Sequence, residues 1–195
     1  MMASILTVYG GPNGSGKSMI TEQHKPTGPY VNADMIEANL GCTSEEAAEI
    51  ADRTRELLLR QGESFTTESV LSTDRKFDLM QQARSQNYIV HCIYVLTKNP
   101  KINIERVAAR VSRGGHDVPS EKIVSRYWRA MFKIPRLFKV CNRLDIFDNS
   151  PNRGEGGPAC IVSWSNGTLE LHPNSIWSQE ELLALIEGKH TATDE

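Results

Sequence analysis

The 195-residue chain has few cysteines, little net charge and no long hydrophobic run. Its four cysteines form no C-x-x-C pair, which excludes a zinc ribbon and a thioredoxin-type motif. Few, scattered cysteines are typical of a reducing compartment, so we expect a cytoplasmic protein in which Cys92 fills the core. No apolar run approaches the ~20 residues of a membrane span, and the N-terminus lacks a signal-peptide pattern, so we expect no membrane contact and no signal peptide.

The charge balance argues against broad electrostatic binding to nucleic acid. The formal net charge is −2, and a composition of 39% hydrophobic and 24% charged residues is that of an ordinary globular protein. The chain has no internal repeat and no low-complexity segment, and 195 residues are enough to bury one core. We therefore expect a single domain and no nucleic acid partner.

One stretch carries a strong functional signal, because residues 10–18 read GGPNGSGKS. From position 11 they match G-x-x-x-x-G-K-[ST], the phosphate-binding P-loop, and a short β-branched run at 5–9 precedes them as a strand should. In such a loop backbone N–H groups cradle phosphate oxygens, Lys17 reaches the β- and γ-phosphates, and the Ser18 hydroxyl holds Mg²⁺. The predicted nucleotide-binding residues of the loop are Gly11, Pro12, Asn13, Gly14, Ser15, Gly16, Lys17, Ser18 and Met19.

Strands and helices alternate along the rest of the chain. Apolar or β-forming runs predict further strands at 30–32, 64–68, 88–96 and 143–147. Helical spacing predicts helices between them, including one that follows the capping box Thr43-Ser44-Glu45-Glu46. The pattern predicts an α/β fold: a three-layer sandwich of the P-loop NTPase (kinase-like) type with a mostly parallel sheet.

The C-terminal third departs from strict alternation. A predicted helix from Ser120 to about Ile134 is ended or kinked by Pro135. Residues 151–158 are rich in glycine and proline, which predicts a mobile loop. Two alternating runs then flank Asn166-Gly167, the strongest short-range signal for a β-hairpin, and a second capping box opens a last helix. We expect this hairpin and helix, at about 159–188, to be an appendage of the same domain.

Ligands of such sheets bind at the carboxyl ends of the strands, so polar residues there are candidates for the site. Asp34, just past the second strand, could accept the proton of a hydroxyl acceptor in phosphoryl transfer; alternatively, it caps the helix that follows. Glu68 ends the third strand and could bind substrate hydroxyls or a metal through water; alternatively, it is an acid at a helix entry.

Arginines predict a lid over the nucleotide. Arg106, Arg110 and Arg113 are spaced by four and three residues, which places them on one face of a helix that ends at a Gly-Gly pair. Arginine suits the negative charge that spreads over a transferring phosphoryl group, so the segment from about 106 to 126 is interpreted as a lid; the alternative is a solvated basic face. His116, in the glycine turn, is either a lid contact or a turn residue bonded to backbone.

The residues alone leave several functions open. Thr97-Lys98-Asn99-Pro100 has proline where guanine-binding proteins carry an aspartate, so ATP is the expected nucleotide. With a triphosphate bound, the protein could be a small-molecule kinase, a polynucleotide kinase, or a nucleotide-driven switch or hydrolase. Only the kinases need Asp34 as an acceptor base.

Four segments together resemble the zeta toxin family of P-loop kinases: GGPNGSGKS at 10–18, Asn32-Ala33-Asp34, FTTESVLS at 65–72 and RVAARVSRGGHDVP at 106–119. The resemblance covers roughly residues 3–150 and implies a kinase-like P-loop fold that uses ATP and Mg²⁺. In characterised zeta toxins the acceptor is the 3′-hydroxyl of the N-acetylglucosamine of UDP-N-acetylglucosamine. Many are held inactive by a small epsilon antitoxin that blocks the nucleotide site, so an antitoxin is a candidate protein partner besides the small-molecule acceptor.

Matching motif positions carry roles over from that family to this chain. The resemblance implies that Lys17 binds phosphate, Asp34 is the base and Glu68 helps to bind the acceptor. The predicted catalytic residues are Lys17, Asp34, Arg110 and Arg113. The predicted acceptor-binding residues are Asp34, Glu68, Ser69, His116 and Arg126. The lid has a compact Gly-Gly-His-Asp form where the well-studied toxins have a longer arginine-led segment.

Overall fold

The computed structural model describes residues 3–115, 117–151 and 157–189. Within them the strands are β1 (Ile5–Gly10), β2 (Tyr30–Val31), β3 (Phe65–Ser69), β4 (Ile89–Leu96), β5 (Arg143–Asp148), β6 (Ala159–Ser165) and β7 (Thr168–Leu171). The helices are α1 (Lys17–Gln23), α2 (Ala33–Leu40), α3 (Ser44–Gln61), α4 (Arg75–Ser85), α5 (Pro100–Val111), α6 (Ser120–Met131), α7 (Ile134–Val140) and α8 (Gln179–Glu187). Of the helices in these ranges, none has the length and apolar character needed to cross a membrane.

The strands form one mixed sheet in the order β2-β3-β1-β4-β5-β6-β7. Neighbours from β2 to β5 are parallel, whereas β6 runs antiparallel to β5 and β7 antiparallel to β6. The predicted α/β fold with a mostly parallel sheet and a C-terminal hairpin is confirmed. Because β1 lies between β3 and β4, the loops that follow these three strands meet at one edge of the sheet.

Helices cover both faces of the sheet, which gives the predicted three layers. On one face Leu6, Cys92 and Leu144 belong to a core that also contains buried residues of α3, α4, α7 and α8. On the other face Tyr9 and neighbouring residues of β4 pack with Ile20 of α1. Strands buried on both faces read as continuous apolar runs, which explains the sequence of β4. Cys92 is fully buried and fills the core as predicted.

The helix ends match the sequence signals with one exception. Thr43 and Ser178 both form the predicted capping boxes at the starts of α3 and α8. The helix expected to reach Ile134 instead stops at Met131, and Pro135 lies in the first turn of a separate helix, α7. Proline suits that position because the first turn leaves its backbone N–H groups unbonded in any case. Of the loop predicted to be mobile, residues 152–156 lie outside the described part of the chain.

A row of polar side chains ties the hairpin to the parallel strands. Asp145 on β5 is 8% exposed, and its Oδ2 lies 2.7 Å from His91 Nε2 on β4 and 3.0 Å from Arg143 Nε. Ser163 lies opposite Asp145 on β6, and its hydroxyl is 2.9 Å from His172 Nε2. Burial alone would raise the pKa of Asp145, but hydrogen bonds and charge from His91, Arg143 and Ser163 outweigh it and hold that pKa below its ordinary value.

This row predicts a pH dependence of stability. A carboxyl whose pKa is lowered by folding stabilises the native state above its unfolded pKa of about 4, and that stabilisation disappears as the pH falls through the folded pKa. We expect Asp145→Asn to lower the free energy of unfolding by about 1–3 kcal/mol at pH 7 and by much less at pH 3. Urea denaturation of both proteins at the two pH values measures this, and a difference that does not change with pH would contradict the assignment.

Candidate active site

The P-loop joins β1 to α1 in a turn that only glycine can form at two positions. Gly11 has φ of 137°, and a Cβ added there would lie 2.0 Å from the Val95 carbonyl oxygen. Gly14 has φ of 76°, and its Cβ would lie 2.5 Å from the Asn103 carbonyl oxygen. Directly after Gly14, the Ser15 hydroxyl is buried and has no hydrogen-bond partner among the described residues. A close-packed glycine turn with an unsatisfied hydroxyl fits a loop that binds an anion.

Lys17 begins α1 and places its ammonium between the P-loop and the end of β3. Its Nζ donates to the carbonyl oxygens of Gly11 at 2.9 Å and Pro12 at 3.1 Å, and lies 3.7 Å from Glu68 Oε1. Burial lowers the pKa of Lys17, whereas the charges of Glu68 and Asp34 raise it and that of Arg110 lowers it further. The charged groups that shift the pKa of Lys17 therefore lie on three elements, β3, α2 and α5.

A cavity of about 460 Å³ lies against the P-loop. Its walls come from the loop and α1, from the end of β3, from α5 and the turn after it, and from the segment after β5. The lining residues are Gly14, Gly16, Lys17, Ser18, Met19, Glu68, Arg106, Val107, Ala109, Arg110, Arg113, Gly115, Asn149 and Pro151. The size is in the range of cavities that bind nucleotide-sized ligands.

The three predicted lid arginines line this one cavity. Arg106 and Arg110 lie on α5, and Arg113 lies just beyond its end. Arg106 also donates from Nη1 to the carbonyl oxygen of Asn149 at 2.6 Å and from Nη2 to that of Pro151 at 2.8 Å. Arg110 and Arg113 are also exposed to solvent, so the lid and the solvated basic face both stay predictions for these two side chains.

Glu68 is the centre of a hydrogen-bond network next to Lys17. Its Oε2 accepts from Tyr30 Oη at 2.6 Å and from Asn32 Nδ2 at 3.2 Å, while Oε1 faces Lys17. Burial and the Glu68 carboxylate raise the pKa of Tyr30, which keeps its hydroxyl protonated as a donor. The reading of Glu68 as a helix-entry acid is wrong, because Glu68 lies within β3 and α4 begins only at Arg75.

Asp34 lies in the first turn of α2 and is exposed to solvent. The reading of Asp34 as the helix cap is wrong: Asn32 is the cap, and its Oδ1 accepts from the backbone N–H of Asp34 at 2.9 Å and of Met35 at 3.4 Å. Asp34 does not line the cavity, although its charge raises the pKa of Lys17. The Asp34 carboxylate therefore does not serve as the helix cap, and it is close enough to Lys17 for its charge to act on that residue.

Two other predicted acceptor residues, Ser69 and Arg126, are not among the residues that line the cavity. Ser69 serves the backbone, since its carbonyl oxygen accepts from Gly11 N at 3.2 Å and its Oγ from Leu71 N at 3.1 Å. Arg126 lies on α6, and its Nη1 donates to Asn13 Oδ1 of the P-loop at 3.4 Å. His116 lies outside the described residues.

Two asparagines that sequence reasoning did not assign to the site hold the P-loop in place. Asn149 Nδ2 donates to the Ser15 carbonyl oxygen at 2.7 Å, and Asn103 Nδ2 donates to that of Asn13 at 2.6 Å. Both side chains are buried. The position of Asn149 directly after the fifth strand was a usable signal, whereas nothing in the sequence marks Asn103 within α5.

The fold and the site together define a class. A P-loop after the central strand β1, an acidic residue on the adjacent strand β3, and an arginine-bearing helix across the cavity are the parts with which P-loop kinases hold and polarise a triphosphate. The chain has the architecture of a P-loop kinase.

More specifically, the chain belongs to the zeta toxin family. The family model described as Zeta toxin matches residues 30–152, more than half of the chain. The match begins after the P-loop and ends before the hairpin, so it covers β2 to β5 and confirms the resemblance predicted from the motifs. A protein of Haemophilus influenzae, itself described as uncharacterized, is 29% identical over 126 residues, which are 61% of this chain and 89% of that protein.

Solved structures share the fold at low sequence identity. The AvrRxo1-ORF1:-ORF2 complex with ATP superposes with a TM-score of 0.72 at 16% identity, covering 98% of this chain and 66% of the other. This chain thus spans just under two thirds of the length of that neighbour. A structure of the PezAT chromosomal toxin-antitoxin system of Streptococcus pneumoniae superposes with a TM-score of 0.61 at 16% identity, covering 97% and 86%. At this identity, the two neighbours establish the fold alone.

Proposed function

We propose that the protein is an ATP-dependent small-molecule kinase of the zeta toxin type. It transfers the γ-phosphoryl group to a hydroxyl, and its acceptor is the 3′-hydroxyl of the sugar of UDP-N-acetylglucosamine. The observation that carries the proposal is the meeting of Lys17, Glu68 and the α5 arginines at one cavity. Family membership and a neighbour whose structure is described with ATP support the same reading.

The proposed reaction is an in-line displacement at the γ-phosphorus. Asp34 accepts the proton of the acceptor hydroxyl, the hydroxyl oxygen forms a bond to the γ-phosphorus, and the bond from that phosphorus to the β,γ-bridging oxygen breaks with ADP as leaving group. Lys17 and the arginines Arg110 and Arg113 stabilise the negative charge on the transferring group. Glu68, held by Tyr30 and Asn32, orients the acceptor hydroxyls beside Lys17.

The residues at the loop fit a Mg²⁺-bound triphosphate. The loop fits phosphate oxygens for two reasons. Any side chain at Gly11 or Gly14 would clash with backbone, and the buried Ser15 hydroxyl has no partner among the described residues. The Ser18 hydroxyl would hold Mg²⁺ together with phosphate oxygens, since this ion prefers oxygen ligands. When bound, the ion neutralises charge on the β- and γ-phosphates.

The arginine-bearing segment acts as a lid within a single domain. Residues from about 106 to 126 include the end of α5, the turn at Gly114-Gly115 and the start of α6. Gly114 has φ of 84°, which lets the chain reverse there. Closure over the nucleotide would exclude water from the transferring phosphoryl group and bring the arginines onto it.

An antitoxin-like protein is the proposed partner. One neighbour is described as part of a toxin-antitoxin system and the other as a complex of two proteins. A protein that covers the cavity between the P-loop and α5 would block ATP binding, and such control would suit an enzyme that consumes a precursor of the cell wall.

The test is phosphoryl transfer from Mg·ATP to UDP-N-acetylglucosamine, with the product identified by mass. We expect a sugar nucleotide that has gained one phosphoryl group, formed with one ADP per product. If UDP-N-acetylglucosamine is unchanged while a metabolite extract yields another phosphorylated species, the acceptor is wrong and the kinase reading stands. ATP hydrolysis at the same rate with and without any acceptor would overturn the kinase reading in favour of a hydrolase.

A further inference from the structure

The carboxylate of Asp148, at the end of β5, is a buried junction between the nucleotide site and the C-terminal segment. It is 3% exposed. Its Oδ1 accepts from Ser150 Oγ at 2.6 Å and from Trp177 Nε1 at 2.9 Å, and its Oδ2 accepts from the Ser150 backbone N–H at 3.1 Å. A buried carboxylate is costly without donors, so Ser150 and Trp177 together make this charge tolerable.

The residues after Asp148 form a wall of the cavity. Asn149 and Pro151 line it, and Asn149 Nδ2 reaches the Ser15 carbonyl oxygen of the P-loop. Arg106 of α5 binds the carbonyl oxygens of Asn149 and Pro151 from the other side. The Asn149–Pro151 loop therefore contacts both the P-loop and α5, so a shift of this loop would move both.

Trp177 is itself held firmly in place. Asn174 Oδ1 accepts from the backbone N–H of Trp177 at 2.6 Å. On the ring face, Lys98 Nζ lies 4.2 Å from the ring centroid and also 2.6 Å from Glu181 Oε1, which lies in the first turn of α8. The indole donor is thus presented to Asp148 by a rigid support, which is what a positioning residue requires.

We propose that the C-terminal segment 174–181 is a working part of the nucleotide site and that Trp177 is a positioning residue that fixes the Asn149–Pro151 loop through Asp148. The inference rests on the proposed binding of ATP. It extends the site past residue 152, where the match to the family model ends. It predicts that nucleotide affinity depends on a residue that does not line the cavity.

The test is the direct binding of ADP to full-length protein by titration calorimetry, together with the kinetics of transfer. Trp177→Phe removes the Nε1 donor and keeps a ring for Lys98. We expect ADP affinity to fall by roughly tenfold and the KM for ATP to rise in parallel, with kcat and the KM for the acceptor much less affected. Trp164→Phe is the matched control, because Trp164 lies on β6 and packs against Phe138 with 6.0 Å between ring centroids; its ADP affinity should equal that of the parent.

A second variant keeps the test decisive if Trp177→Phe does not fold. Ser150→Ala removes another donor to the same carboxylate and should weaken ADP binding in the same direction. ADP affinity equal to the parent in a folded Trp177→Phe or Ser150→Ala protein overturns this inference and leaves the proposed kinase intact. A parent protein that does not bind ADP or ATP overturns the proposed function, and the inference falls with it.

Discussion

Asp34→Asn is expected to lower the rate of phosphoryl transfer by about 10²–10⁴-fold, the usual contribution of a general base. Asparagine keeps the size and polarity of the side chain but does not accept the proton of the acceptor hydroxyl. The carboxylate is exposed, and Asn32 supplies the cap of α2, so the substitution removes no structural contact of the cap. Binding of ATP should therefore stay within about twofold of the parent.

The measurement pairs transfer kinetics with ATP binding for the parent, Asp34→Asn and a control. Glu37→Gln makes the same change of charge one turn further along α2, where Glu37 already accepts from Ser44 Oγ at 3.0 Å. The control should transfer phosphate at the parent rate. If Asp34→Asn also does so, the assignment of the base is wrong, whatever the acceptor proves to be.

Lys17→Met is expected to weaken ATP binding and to lower transfer by about 10²–10³-fold, in the range found when one preorganised donor is removed from a developing charge. Methionine has a similar length and carries no charge. Lys17 is only 8% exposed and burial lowers its pKa, but its loss leaves Glu68 Oε1 without its ion-pair partner, so we also expect a lower free energy of unfolding. Glu68 retains Tyr30 and Asn32 as partners in the variant.

This result separates binding from chemistry, because the two substitutions fail at different steps. Asp34→Asn should bind ATP and not transfer, whereas Lys17→Met should lose both. Lys25→Met, at an exposed position shortly after α1, controls for the loss of one positive charge. A Lys17→Met protein that binds ATP as tightly as the Lys25→Met control would mean that the loop does not hold the triphosphate through this lysine.

Several features of the protein could be predicted from the sequence because the information is local. The P-loop occupies consecutive residues, and its glycines are required by backbone angles and by contacts within a few ångströms. The capping boxes at Thr43 and Ser178 need residues only three positions apart. The Asn166-Gly167 turn fixes its hairpin in the same way. The alternation of strands and helices along the chain was then enough to predict the three-layer α/β fold.

The sequence is ambiguous wherever one residue type serves two structural roles. Proline both ends helices and opens them, and the packing of α7 selects the second role for Pro135. Polar residues at strand ends presented the same ambiguity. Asn32 and Asp34 both suit a helix start, and only the observed hydrogen bonds assign the cap to Asn32. Ser69, predicted to bind the acceptor, accepts a hydrogen bond from Leu71 N in the turn after β3.

The sequence alone predicts the P-loop motif, the class of fold, and three arginines that the structure places at one cavity, two on α5 and one just beyond its end. The tertiary structure decided which distant side chains complete the site: Asn149 reaches the Ser15 carbonyl across 134 positions, Tyr30 reaches Glu68 across 38, and Trp177 reaches Asp148 across 29. The physical reason is that such contacts depend on the order of strands in the sheet. A local pattern shows that a polar residue ends a strand, but only the assembled sheet shows which side chain from elsewhere in the chain lies beside it.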